Sequence, residues 1–172
     1  MNSVNETELL ARLRAGDAHA YETIFRAYHA RLCAFAFGYL QNHADADEVV
    51  QDFFLRLWQK REQLTIYSSL RAYLFAAVRN RVLNRSARAR LEQRWLEEAG
   101  SDDPDVPDPA VPIVDLVHEA EIAARVMAAI AQLPAGCRRV LVLRWQEQLG
   151  YAEIAEALGI SVKGVENQLA RA

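Results

Sequence analysis

Seven arginines, Arg71, Arg79, Arg81, Arg85, Arg88, Arg90 and Arg94, fall between Leu64 and Arg94 against a single acid, Glu92. Arg81, Arg85 and Arg88 recur at intervals of four and three, which makes them one row if the segment is helical. Guanidinium groups hold phosphates, while the amides of Asn80 and Asn84 and the rings of Tyr67 and Tyr73 are groups that meet unstacked bases. This set suits a nucleic-acid strand; a solvated basic face is the plain alternative. Bond-breaking chemistry has far less to stand on. His19, His29, His43 and His118 are scattered, and there is no HExxH, no Gly-rich phosphate loop and no Ser/His/Asp spacing. The chain is therefore expected not to be an enzyme and to need no cofactor. Cys33 and Cys137 sit in apolar helical patterns without a CxxC pairing, so neither a disulfide framework nor a zinc site is expected. Asp45, Asp47, Glu48 and Asp52 fall around more than one helix face, which argues against a metal.

A second set lies at the C-terminus, in YAEIAEALGISVKGVENQLARA. A short helix from Tyr151 turns Ile154, Ala155 and Leu158 inward, Gly159 makes a tight turn, and Ile160 plugs the gap. Ser161 then caps a second helix whose Val165 and Leu169 face back. This is helix-turn-helix spacing over Tyr151 to Ala170, although an ordinary helical hairpin has a similar pattern. If the second helix enters a major groove, its outward residues Ser161, Lys163, Gly164, Glu166, Asn167 and Arg171 face base edges and phosphates. Lys163 and Arg171 suit phosphate or guanine, Asn167 adenine and Glu166 cytosine. The helix runs to Ala172 without a stop signal, so it reads as cut short.

A third feature is DADEVVQDFFLRLWQK, Asp45 to Lys60, which is richer in apolar groups than one core face needs. At 100° per residue, Ala46, Val49, Val50, Phe53 and Leu57 make a core side. Asp47, Gln51, Phe54 and Trp58 fall on an adjoining side, with Glu48, Asp52 and Leu55 beyond. Either that surplus meets a partner, or a neighbouring helix such as His19 to Leu40 covers Phe54 and Trp58.

These residues need elements to position them. The 172 residues are 52% hydrophobic and 25% charged, enough for one ordinary domain or two small ones. Apolar residues recur at three and four positions and no stretch alternates, so the expected fold class is all-α. Helices are expected near Glu6–Ala15, His19–Leu40, Ala44–Lys60 and Ser69–Leu96, then near Ile113–Gln132, Gly136–Gln146, Tyr151–Leu158 and from Ser161 onward. Asp17 can cap the second, Asp45 can help start the third, and Ser68 or Ser69 can cap the fourth. The net charge of -3 hides an uneven distribution, because nine acids and no Lys or Arg lie from Glu97 to Glu121. Gly100 to Pro112 holds four of the five prolines and reads as a linker. Two helical domains are expected, 1–96 and 113–172, joined by 97–112. The N-terminus has no basic region leading an apolar core, and no apolar run reaches a membrane span, so neither membrane insertion nor export is expected and a reduced cytoplasm fits.

From about residue 18 onward the chain resembles a bacterial RNA polymerase sigma factor of the extracytoplasmic-function (ECF) group. AYETIFRAYHARLCAFAFGYL is similar to the start of the sigma-2 domain, DADEVVQDFFLRLWQK to its core-binding helix, and LRAYLFAAVRNRVLNRSARAR to its helix for the −10 element. AIAQLPAGCRRVLVLRWQEQLGYAEIAEALGISVKGVENQLARA resembles sigma-4, with its helix-turn-helix for the −35 element. The resemblance implies a transcription-initiation factor that binds core RNA polymerase and promoter DNA and helps melt the −10 element by capturing a flipped base. It places polymerase contacts at Asp47, Glu48, Gln51, Asp52, Phe54, Leu55 and Trp58, facing a coiled coil of the largest subunit, with the flap of the second-largest subunit as a further contact. For the −10 element it implies Tyr67, Arg71, Tyr73, Asn80, Arg81, Asn84, Arg85 and Arg88, with the base-capturing loop at about Leu64 to Leu70. For the −35 element it implies the outward helix-turn-helix residues above. It also implies an anti-sigma partner, and a linker that threads toward the polymerase channels. The chain departs from the family pattern at Asn84, often aspartate, and at Gln168, often aliphatic.

Overall fold

The computed structural model describes residues 3–97, 130 and 132–171, with side-chain surroundings for 6–88, 130 and 132–171. Among these residues the regular structure is helical: α1 (Ser3–Arg14), α2 (Ala18–Leu40), α3 (His43–Gln59), α4 (Leu70–Glu97), α5 (Ala135–Trp145), α6 (Tyr151–Leu158) and α7 (Val162–Ala170), with a 3-10 turn at Arg61–Gln63. The expected linker and the expected helix near Ile113–Gln132 lie essentially outside the described residues.

Local sequence sets the boundaries. Asp17 caps α2 by accepting from the amides of His19 and Ala20, and its carboxyl is held below the usual range by a hydrogen bond from Arg12 and by the His19 amide. Gln41 ends α2 in the left-handed region at φ 55°. Asn42 caps α3, accepting from Ala44 and Asp45, while Asp45 stands in the first turn, where the helix dipole favours an acid. At α4 the capping serine is Ser69, whose Oγ accepts from the Ala72 amide at 3.1 Å.

The core lies where α2, α3 and α4 pack on one another, with α1 closing one side. Ala46, Val49, Val50, Phe53 and Leu57 of α3 are all buried, the side that helical periodicity selects. Phe54 is buried as well. Its ring meets Phe25 at 4.8 Å, Phe53 at 5.2 Å and Tyr21 at 6.2 Å, so α2 supplies an aromatic cover. Phe54 is thus a core residue and not part of an exposed docking face. Trp58 is half-buried, edge-on to Tyr21 at 5.2 Å and capped by the Arg61 guanidinium at 4.6 Å. The contrast between neighbours is testable: Phe54→Ala is expected to cost about 3–5 kcal/mol, whereas Leu55→Ala, at an exposed position, shifts stability by under about 0.5 kcal/mol. Urea unfolding of the two variants measures both.

The C-terminal helices join this core. α6 packs against α4 as well as against α5 and α7, and Leu149, Ile154, Ala157 and Val165 are fully buried. Gly159 takes the turn at φ 59°, a left-handed conformation that favours glycine, whereas the nearest atoms a Cβ would meet are the movable guanidinium end of Arg79. Ile160, expected to plug the turn, lies against Gly164 of α7 but is 38% exposed, so it covers the edge of the turn and does not fill its interior. Gln168 folds over Gly136, where its amide lies 2.8 Å from a would-be Cβ, and accepts from Cys137 Sγ at 3.0 Å. The polar residue in this usually aliphatic slot is therefore satisfied by the thiol facing it.

Glu147 fastens the two halves. Its carboxylate, nearly buried, accepts from Arg31 Nε at 3.0 Å and pairs with the same guanidinium through Nη2, while its carbonyl accepts from Arg71. Ser68 donates to Glu156 at 2.9 Å and Arg139 stacks over Tyr39 at 4.6 Å. Glu147→Ala should cost about 2 kcal/mol, since Arg31 keeps access to water and loses only charge-assisted hydrogen bonds. Small-angle scattering should show the variant with a larger radius of gyration than the parent chain; an unchanged radius would leave the fastening to the apolar contact between α4 and α6.

Candidate functional site

Three surfaces carry the expected site residues. The first is the outer face of α3. Gln51 is exposed and its Nε2 donates to Asp47 Oδ2 at 2.5 Å; Asp52 pairs with Arg56 at 3.1 Å one turn on. Between them Leu55 is 54% exposed, a large apolar side chain ringed by Gln51, Asp52, Arg56 and Gln59. An apolar centre with a polar rim is the anatomy of a protein-binding patch. Glu48 is exposed but faces α4, where it and Asp45 hold Arg85 at 2.8 and 2.6 Å. Of the seven expected polymerase contacts, Gln51, Asp52 and Leu55 share this surface, Asp47 and Glu48 border it, Trp58 lies at its end and Phe54 beneath it.

The second surface is the loop before α4 and the outer side of that helix. Leu64 and Leu70 are both buried, and Arg14 Nε donates to the Leu64 carbonyl at 2.9 Å, so the loop is anchored at both ends. Between the anchors Tyr67 is 97% exposed, an aromatic face held clear of the protein. Along α4, Asn80, Asn84 and Arg88 are exposed at successive turns. The arginine row is less free than its spacing implied. Arg85 is paired with Glu48 and Asp45, which hold its proton more tightly, and Arg81 lies over the Phe53 ring at 5.6 Å. Burial, together with nearby Arg56, lowers the Arg81 pKa. Arg71 is bound to Glu147, and Tyr73 is half-buried, with burial raising its phenol pKa. Of the eight expected −10 contacts, Tyr67, Asn80, Asn84 and Arg88 are therefore the exposed ones.

The third surface is α7. Ser161 Oγ accepts from the Gly164 amide at 3.0 Å as expected of an N-cap, Val165 is fully buried and Leu169 is half-buried. Lys163, Glu166, Asn167 and Arg171 are exposed, with Lys163 and Glu166 paired at 3.3 Å; Gly164 is partly covered. The helix leaves a polar face free to enter a groove.

Two features escaped the sequence reading. Trp145 is 75% exposed at the end of α5, and its neighbour Arg144 lies over the Tyr151 ring at 5.6 Å; a stripe-ending Trp before a polar turn was the available signal. His29 and Cys33 of α2 are brought against Asp47 of α3. Burial and the Asp47 carboxylate push the Cys33 thiol up to about 12, so it stays protonated at neutral pH.

Two family models match this chain. Residues 24–92 match the Sigma-70 region 2 family model and residues 123–172 the Sigma-70 region 4 model, in that order. The chain belongs to the sigma-70 family, in its extracytoplasmic-function group. Among its relatives is the ECF RNA polymerase sigma factor SigM of Mycobacterium tuberculosis, 27% identical over 98% of this chain and 81% of SigM. CnrH of Cupriavidus metallidurans is 28% identical over 95% of this chain and 88% of CnrH. The structure of CnrH with the cytosolic domain of CnrY superposes at TM-score 0.58, with 25% identity over 96% of this chain and 90% of that one. The sigma factor RpoE of Bartonella quintana, solved with the anti-sigma factor NepR, shares the fold at TM-score 0.63 and 21% identity, over 88% of this chain and 90% of that one. As a sigma factor with regions 2 and 4, the chain serves promoter-directed initiation of transcription, and a stand-alone helix-turn-helix regulator is not favoured. Among the described residues no helix is long and apolar enough to cross a membrane.

Proposed function

We propose that the chain docks on core RNA polymerase through the outer face of α3, centred on Leu55 with Gln51 and Asp52. In the same reading α7 contacts the −35 element as duplex, and Tyr67 stacks on a base extruded from the −10 element. Residues 1–96 form the polymerase- and −10-binding domain and 113–172 the −35-binding domain, with 97–112 as the connection. The chain is a specificity factor with no catalysis of its own, and it works in the cytoplasm, where polymerase is. The observation that carries this reading is Leu55: a helix already supplied with a complete core side keeps a large apolar group in water inside a polar rim, as an interface centre does. Flipping a base costs a few kcal/mol, which an aromatic platform and nearby guanidinium groups offset.

A protein partner that holds the factor inactive is part of the reading, supported by the full-length likeness to CnrH in its complex with the CnrY cytosolic domain. The test is native-gel and pull-down binding to purified core polymerase. A one-to-one complex that then retains promoter DNA supports the assignment; a chain that leaves core polymerase unbound refutes it.

A further inference from the structure

His29 and Cys33 stand one turn apart on α2, and Asp47 faces them from α3. His29 Nε2 is 3.4 Å from Asp47 Oδ1, and Cys33 Sγ is 3.6 Å from the same oxygen. The sulfur lies 3.8 and 3.9 Å from the two ring nitrogens of His29. The Cys33 thiol donates to Asp47 Oδ1, and the His29 ring stands against the same oxygen at a distance longer than a good N–H···O hydrogen bond, so the three groups converge on one carboxylate oxygen. Ligand atoms around a tetrahedral ion, at bond lengths of about 2.0–2.3 Å, stand about 3.4–3.6 Å apart. The observed distances are within a few tenths of an ångström of that size, and since the sulfur is equidistant from the two ring nitrogens, the His29 ring has to turn for Nε2 to face an ion shared with it. We propose that His29 Nε2, Cys33 Sγ and Asp47 Oδ1 form a binding site for a zinc-class divalent cation that bridges α2 and α3.

The donor set fixes the class of ion. One sulfur, one imidazole nitrogen and one carboxylate oxygen suit borderline transition metals and disfavour magnesium or calcium, which take oxygen. Neighbouring groups also confine the ligands to this spot. The His29 ring packs on Phe25 at 4.6 Å and on Phe54 at 6.1 Å, and Gln51 fixes the other carboxylate oxygen of Asp47 at 2.5 Å, an outer-shell contact of the kind that orients metal ligands. All three residues are only partly buried, so water reaches the fourth position. Loading replaces the thiol proton: Cys33–SH and the ion give a metal-bound thiolate, and one proton leaves to solvent. The same Asp47 carboxylate holds Gln51, so the ion sits directly under the α3 surface.

Cobalt(II) titration of the whole chain, kept reduced with a phosphine, tests the site. The expected result is a saturable one-to-one signal with thiolate-to-cobalt charge-transfer absorption and tetrahedral d–d intensity, both removed by one equivalent of zinc. Cys137→Ser should keep the signal. Cys33→Ser should lose the charge transfer, and His29→Gln should lose saturable binding, with circular dichroism used to show that each variant is folded. Zinc should raise the melting temperature of the parent and of Cys137→Ser but not of Cys33→Ser. Two results overturn the proposal: a parent chain without thiolate-to-cobalt absorption, or absorption that survives Cys33→Ser. The first is read on the parent alone, whatever the variants do.

Discussion

Leu55→Asp is expected to lower the affinity for core RNA polymerase by about 30-fold or more, the effect of losing an interface hot spot of at least about 2 kcal/mol. The side chain is 54% exposed, so a carboxylate there stays solvated in the free protein and the urea midpoint should hardly move. In the complex the same carboxylate would be buried among apolar partner groups beside Asp52, which already holds the neighbouring Arg56. Phe54→Ala, one residue away, should do the opposite: it destabilises the fold because Phe54 fills the α2–α3 contact, and binding suffers only as folding does. Fluorescence anisotropy of labelled chain against core polymerase, alongside urea unfolding, separates the two effects. If Leu55→Asp binds like the parent, the polymerase face lies elsewhere.

Tyr67→Ala should leave polymerase binding intact and impair promoter melting. Its ring is 97% exposed on a loop anchored at buried Leu64 and Leu70, so nothing in the fold depends on it and removing it opens no cavity. Stacking of a base on an aromatic ring is worth about 1–3 kcal/mol, so the melted population should fall by roughly 5- to 150-fold. Tyr67→Phe should retain most of the activity, because the stacking face remains. The readout is 2-aminopurine fluorescence at the −10 element on any template this factor transcribes. A Tyr67→Ala protein that melts DNA like its parent would remove the ring from the mechanism.

Much of this architecture was legible because it is local. Periodicity picked out the buried side of α3, Asp17 and Ser161 declared their caps, and Gly159 declared its turn. What escaped was long-range. Phe54 lies beside the core stripe on a helical wheel, and only the arrival of Tyr21 and Phe25 from α2 turns that flank into interior. The arginine row of α4 reads as a cationic strip until Asp45 and Glu48, about forty positions earlier, are seen to hold Arg85. Gln168 looked like a misfit until Cys137 was found opposite it. His29 and Cys33 carry an i, i+4 spacing that could have been noticed, but their third partner, Asp47, comes from another helix. In each case the sequence shows the group and not the counterpart that decides its state.

Run-off transcription from a randomised promoter library, with core polymerase and with or without this chain, addresses the central claim most directly. The account predicts transcripts that depend on the chain, arising from templates that share two separated conserved boxes, one read as duplex by α7 and one melted at Tyr67. Chain-dependent transcripts from templates sharing a single box, or no chain-dependent transcription at all, would contradict it.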